Sequence, residues 1–266
     1  MGSSHRHGID VLNRFATDVI QRSGQEAMKF YGKGKSDLKF DEELVTEAEL
    51  HLADFFQAQV QERFPDHQVF MNGEMETEYS HEGKRYVWIF DPIDGADNFQ
   101  TGIPVWAMSI ALLENFWPIF GLINMPVTGD LYHAAAEKNA YRGDAEMKIA
   151  ADESVDDESL LLTYSRFHQQ YHAAFPGKIR NLGCTGAHIC YVAMGRADAA
   201  VISNESFQDL AAARVIIESA GGKFFKMDGA EFFLNDHLDG QKIGEPLIVT
   251  SPEKISLVIE CLEKTR

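Results

Sequence analysis

The densest chemistry in the chain lies in the run Trp88-Ile89-Phe90-Asp91-Pro92-Ile93-Asp94-Gly95-Ala96-Asp97-Asn98-Phe99. An apolar strand delivers its C-terminal end into three carboxylates within seven residues, Asp91, Asp94 and Asp97. Pro92 fixes φ and bends the chain out of the strand. Gly95 permits a close backbone approach or a dihedral that other residues avoid. Such a turn can aim Asp91 and Asp94 at one point, with the Ile93 carbonyl between them and backbone N–H groups beyond. Carboxylates gathered at the end of a buried strand repel one another and resist desolvation unless a cation neutralises them. Oxygen-only donors favour Mg²⁺ over Zn²⁺ or copper. Asp and Gly are also common in exposed turns, so a charged surface turn is the competing reading of these residues alone.

The elements that must hold this turn can be read from periodicity. Apolar residues at Ile9, Leu12, Phe15, Val19 and Ile20 predict a helix over residues 9–31, stopped at Gly32 and Gly34. A second helix is expected to start at Thr46, with Thr46 and Glu49 forming a capping box. Residues 68–71 and 86–90 read as strands, the second leading straight into Asp91, and 105–113, 118–124 and 130–142 as a meander. Residues 160–163, 197–202, 223–225 and 246–250 read as further strands. Helices are expected over 167–175, 186–193, 207–219 and 252–264. The mixture argues α+β or α/β in stacked layers.

The whole chain has 266 residues, with 24 Lys and Arg against 41 Asp and Glu, a formal charge of −17. Its apolar fraction of 45% and charged fraction of 24% exclude a disordered, collagenous or coiled-coil chain. The negative charge opposes non-specific nucleic-acid binding, but an acidic protein can still hold a phosphate through a metal ion. Three cysteines without a C-x-x-C pair point to a reducing, cytoplasmic setting. The apolar stretch 103–125 is interrupted by Glu114, Asn115, Pro118 and Asn124, so no membrane span is expected. Residues 1–8 resemble an expression tag and are set aside. The division expected is 9–146, with most metal ligands, and 147–266, with substrate loops and Asp209, meeting at an acidic segment over 147–160.

The run Asp-Pro-Ile-Asp-Gly-x-x-Asn-Phe after an aromatic strand resembles the first signature of the inositol monophosphatase family. These are Mg²⁺-dependent, lithium-sensitive phosphomonoesterases. Gly73-Glu74 lies where the family has Gly-Glu-Glu, and Leu44-Val45-Thr46-Glu47-Ala48-Glu49 resembles its Val-Thr-x-x-Asp segment. Gln208-Asp209-Leu210-Ala211-Ala212 with Glu218-Ser219-Ala220-Gly221-Gly222 resembles its second signature, and Gly195-Arg196-Ala197-Asp198 another recurrent element. Ordered matches along the chain are far more specific than any one of them.

The resemblance implies an αβαβα sandwich, two to three Mg²⁺ ions, a small phosphorylated metabolite as substrate, and a homodimer. It implies that Glu74, Asp91, the Ile93 carbonyl, Asp94 and Asp209 bind metal, and that Glu74 with Asp91 and Asp94 serves catalysis. The amides of Gly95 and Ala96 would hold phosphate, and Gly183, Cys184, Thr185 and Asp198 would face the alcohol half. Mg²⁺ can screen phosphate charge, generate hydroxide and stabilise a leaving alkoxide, so no covalent nucleophile is required.

Four positions depart from the family pattern. Ala96 stands where a Thr hydroxyl usually helps activate water. Glu49 is longer than the usual Asp, Met75 replaces a second Glu, and Gln208 replaces a Trp. Seven residues before Asp209, where inositol phosphatases carry a ring-binding Glu, stands Ile202. Inositol monophosphate is therefore demoted in favour of a broader phosphate-ester class: inositol phosphate-like, sugar phosphate, histidinol phosphate or nucleotide 3′-phosphate. The alternative is a catalytically weak metal- or phosphate-binding or regulatory protein on the same fold.

Overall fold

A computed structural model describes residues 3–35, 40–70, 85–115, 117–150, 154–238 and 241–265, with side chains from residue 8 onward. Helices α1 (Ser3–Ala27) and α2 (Glu42–Arg63) precede a seven-stranded sheet. Its strands are β1 (Gln68–Phe70), β2 (Tyr86–Asp94), β3 (Ala107–Glu114), β4 (Trp117–Met125), β5 (Asp130–Ala135), β6 (Ala140–Arg142) and β7 (Ala145–Met147). They lie side by side in chain order, with β1 parallel to β2 and every later pair antiparallel. The short helix α3 (Ala96–Thr101) fills the turn between β2 and β3.

The C-terminal part starts with β8 (Leu160–Thr163), α4 (Phe167–Gln170), β9 (Tyr171–Ala173), β10 (Lys178–Arg180) and α5 (Thr185–Ala193). It continues with β11 (Ala199–Ile202), α6 (Phe207–Ser219), β12 (Lys223–Lys226), β13 (Leu247–Thr250), α7 (Ile255–Glu260) and β14 (Leu262–Lys264). Five of these strands form a second sheet in the order β10-β8-β11-β13-β12, and β9 pairs with β14.

The layers follow from alternation along the strands. Trp88 and Phe90 on β2 face α1 and α2, together with Ile110, Leu112, Phe120 and Leu122. Val87 and Ile89 point the other way, into a core shared with α5, α6 and the inner face of the second sheet. Leu161, Ala199, Val201 and Ile248 on that sheet's outer face pack with Phe167 and Val258 beneath α4 and α7. A side-chain period of two along each strand thus separates three cores, and the result is an αβαβα sandwich. The middle core takes residues from both sides of the 147–160 segment.

Several boundaries differ from the periodicity reading. Helix α1 begins at Ser3, inside the stretch set aside, and ends at Ala27, with turns carrying the chain to Gly32. Helix α2 begins at Glu42, because Asp41 caps it by accepting the Leu44 N–H at 3.2 Å. The Thr46 hydroxyl donates to the Glu42 carbonyl, so no capping box forms there. The helices expected over 167–175 and 252–264 shorten to α4 and α7, each followed by a strand that pairs with the other. No helix among the described residues is long and apolar enough to cross a membrane.

Candidate active site

Strand β2 sets the first carboxylates. Asp91 pairs with Ser109 and Asp94 with Ala107, so three steps on β2 match two on β3. That bulge, at Pro92 and Ile93, re-aims the strand end. The Ile93 side chain is buried in the outer helical core. Asp91 is buried and accepts no hydrogen bond among the described residues, which makes it the least compensated acid of the group. Burial raises its pKa well above the usual carboxylate range, and Asp209, Asp94, Glu205 and Glu49 raise it further. Glu49 is itself raised by burial.

Asp94 points to the opposite neighbour. Its Oδ1 accepts the Thr185 N–H at 3.0 Å, and its Oδ2 accepts the Gly186 N–H and, at 3.3 Å, the Cys184 thiol. It therefore sits at the N-terminus of α5, where unpaired amides and the helix dipole favour an anion. Burial raises its pKa, and these bonds partly offset the rise. Cys184 is a capping residue whose thiol burial pushes far up, so it is not poised as a nucleophile.

Gly95 caps α3 in the left-handed region at φ 90° with no side-chain cap. A Cβ there would stand 2.9 Å from the Gly183 carbonyl oxygen, so close approach of the two loops requires glycine. Asn98 fastens the same seam, donating to the carbonyls of Val105 at 2.6 Å and Leu182 at 2.7 Å. Ala96 opens α3 with no side-chain donor. The nearby Thr101 hydroxyl donates to the Asp97 carbonyl at 2.6 Å and stays within its own helix. Asp97 is exposed.

Asp209 enters from α6. Its Oδ2 accepts the Ser206 N–H at 2.7 Å and the Ser206 hydroxyl at 2.9 Å, which fixes the carboxylate on the first turn. One residue earlier, Gln208 donates to the Phe90 carbonyl at 2.6 Å. The amide that replaces the usual Trp thus ties the neighbour of Asp209 to the neighbour of Asp91.

Two residues absent from the motif reading complete the cluster. Glu205 is half-buried, and its Oε1 accepts the Thr185 hydroxyl at 2.7 Å. Burial, with Asp94 and Asp209 nearby, pushes its pKa up to about 8. Its sequence signal was weak: an acid just before the cap residue of a helix, where carboxylates are favoured. Lys242 places its ammonium 2.6 Å from Asp209 Oδ2. Burial works against its charge, yet the surrounding carboxylates leave its pKa raised. Nothing in the local sequence marks it.

A cavity of about 490 Å³ is lined by Asp94, Cys184, Thr185 and Glu205, with Arg166 and Asn204 also in its wall. Gly183 lines it too. His188, which is buried, lines it as well. It accepts the Leu182 N–H at 3.0 Å, and burial lowers its pKa to about 4, so it is neutral.

Asp198 does not join this group. Its Oδ2 accepts the Leu160 N–H at 2.8 Å, and its other oxygen pairs with the buried ammonium of Lys254. The expectation that it faces a substrate is corrected: both oxygens serve the second sheet. Glu74 and Met75 lie outside the described residues.

Among the described residues no three His, Cys, Asp or Glu side chains converge as a ready-made metal site. The donor chemistry nevertheless suits a hard cation: all-oxygen, crowded with like charge, and with Asp91 lacking a donor.

The chain matches the model described as "Inositol monophosphatase family" over residues 9–250. It is 28% identical to a histidinol-phosphatase of Chlorobaculum parvum, over 84% of this chain and 88% of that one. It is 27% identical to a putative Nus factor SuhB of Neisseria meningitidis, over 82% of this chain and 88% of that one. The inositol monophosphatase II structure from Staphylococcus aureus superposes with a TM-score of 0.75 at 22% identity, covering 94% of this chain and 92% of that one.

Proposed function

The chain belongs to the inositol monophosphatase family, and from that premise we propose that it is a Mg²⁺-dependent phosphatase of small phosphomonoesters. The observation that carries this reading is the crowding of acids around Asp91, whose pKa is raised by burial, Asp209, Asp94, Glu205 and Glu49. Asp91, Asp94, the Ile93 carbonyl and Asp209, with Glu74 by resemblance, would hold the metal. When bound, it would screen the phosphate and activate water. The chain's own groups orient the ester. The uncapped amides at Gly95 and Ala96 suit an anion, and the cavity bounded by Thr185 and Glu205 suits the alcohol half. Glu205 supplies a polar partner in that cavity, whereas Ile202 is fully buried in the core.

The test is phosphate release from a panel of inositol, sugar, histidinol and nucleotide 3′-phosphates, with and without Mg²⁺. Turnover that requires Mg²⁺ is expected. No turnover of any member at any metal concentration sinks the proposal.

One observation favours a second reading, a catalytically weak metal- or phosphate-binding protein: Ala96 has no hydroxyl, and Thr101 spends its own on Asp97. The two readings part at Ala96→Thr. An increase in turnover of about a hundredfold, the low end for one positioned proton-transfer group, is expected for an enzyme missing that donor. An unchanged, negligible rate favours the binder.

A further inference from the structure

Lys242 lies in the irregular stretch between β12 and β13, yet it reaches the carboxylate cluster. The backbone sets it there: the Ile243 N–H donates to the Glu205 carbonyl at 2.7 Å, fastening the neighbour of the lysine to the loop before α6. The ammonium becomes the third donor on Asp209 Oδ2, after the Ser206 N–H and hydroxyl. Among the described residues no other Lys or Arg makes an ion pair with Asp91, Asp94, Asp209, Glu205 or Glu49.

We propose that Lys242 is a tethered cation that competes with a divalent ion for Asp209. This rests on the metal-dependent reading above and concerns how tightly metal is held. The ammonium supplies one positive charge to a cluster that carries several negative ones, and it does so from a side chain that is 54% exposed. A divalent ion on Asp209 would meet that ammonium at short range, where like charges repel. The flexible four-carbon stem lets the ammonium leave towards solvent. Metal binding at Asp209 therefore weakens the Lys242–Asp209 pair, and the measured affinity carries that cost. The same contact holds the metal-free cluster together.

The experiment is a calorimetric titration of MgCl₂ alone, at fixed ionic strength, into the wild-type chain, Lys242→Met and Lys242→Arg. Lys242→Met is expected to bind Mg²⁺ roughly three- to tenfold more tightly, the scale of one charge contact at a half-exposed site. Lys242→Arg is expected to stay near the wild type. Thermal melts supply a second readout. Without Mg²⁺ the Met variant should melt below the wild type, and saturating Mg²⁺ should close the gap. Equal or weaker Mg²⁺ binding by Lys242→Met overturns the proposal while leaving the metal-dependent reading intact. Absence of Mg²⁺ binding in all three proteins overturns both.

Discussion

Two of the places where the molecule draws acids away from solvent balance them in different ways. At the second sheet Asp198 has a donor on each oxygen, the Lys254 ammonium, from a side chain 1% exposed, on one and the Leu160 N–H on the other. At the junction of β2 and α6, Asp91, Asp94, Asp209 and Glu205 have one paired cation among the described residues, the half-exposed Lys242 on Asp209. Burial is common to both. What differs is how the charge is met: a cluster with surplus negative charge has a use for a cation from outside, and a carboxylate with a donor on each oxygen has less. Asp198 is tied into the second sheet, whereas Asp91 stands among other acids, although both follow plausible motifs.

The sharpest way to break this contrast is to neutralise one acid in each place. Asp91→Asn should lower Mg²⁺-dependent phosphate release about a thousandfold, since a preorganised charge aimed at the reacting centre is lost. The metal-free melting temperature should hold or rise, because a buried charge without a partner is removed. A clear drop in that temperature would place Asp91 with the structural acids. Asp198→Asn should do the reverse. It removes the carboxylate charge beside the buried Lys254 ammonium, at a cost of about 3 kcal/mol in urea unfolding, while turnover per folded molecule is kept.

The smallest effect is a slope with pH. Glu205 titrates near 8 in the folded chain against an ordinary 4.5, and Asp91 and Asp94 shift in the same direction. Between those values the folded chain holds a proton that the unfolded chain has released. Stability should therefore fall as pH rises through that window, by about 1.4 kcal/mol per unit for each proton involved. Metal-free melts between pH 5 and 8 check this, and Glu205→Gln should flatten the slope. A melting temperature that climbs over the range would show that the cluster is not crowded with charge.

Much of the frame was legible because local signals agreed with the layers. Strand β2 read as aromatic and β-branched up to Asp91, and α6 read from Phe207 to Ser219 with its boundaries intact. Both elements are buried on more than one side, so pattern and packing coincide. Legibility failed where a distant partner decides. Asp41 starts α2 in place of Thr46, with its own N–H held by Gln100 far along the chain. Residues 171–173 and 262–264 leave their helices to pair with each other. Glu205 and Lys242 enter the site through contacts with Thr185 and Asp209 that no local spacing encodes. Asp198 was misassigned because its motif resemblance says nothing about Lys254, 56 residues on.

The bond from Gln208 to the Phe90 carbonyl joins the immediate neighbours of Asp209 and Asp91. It is made between uncharged groups, so it neither strengthens nor weakens when a cation arrives or departs. That neutral brace and the sheet beneath it help to place the two aspartates despite their mutual repulsion. Work against the repulsion is done once, when the chain folds and the hydrophobic layers close. It then stays in the frame as a loaded spring, released to whatever positive charge settles between them. Tightening or loosening the brace would tune that spring without touching a single acid.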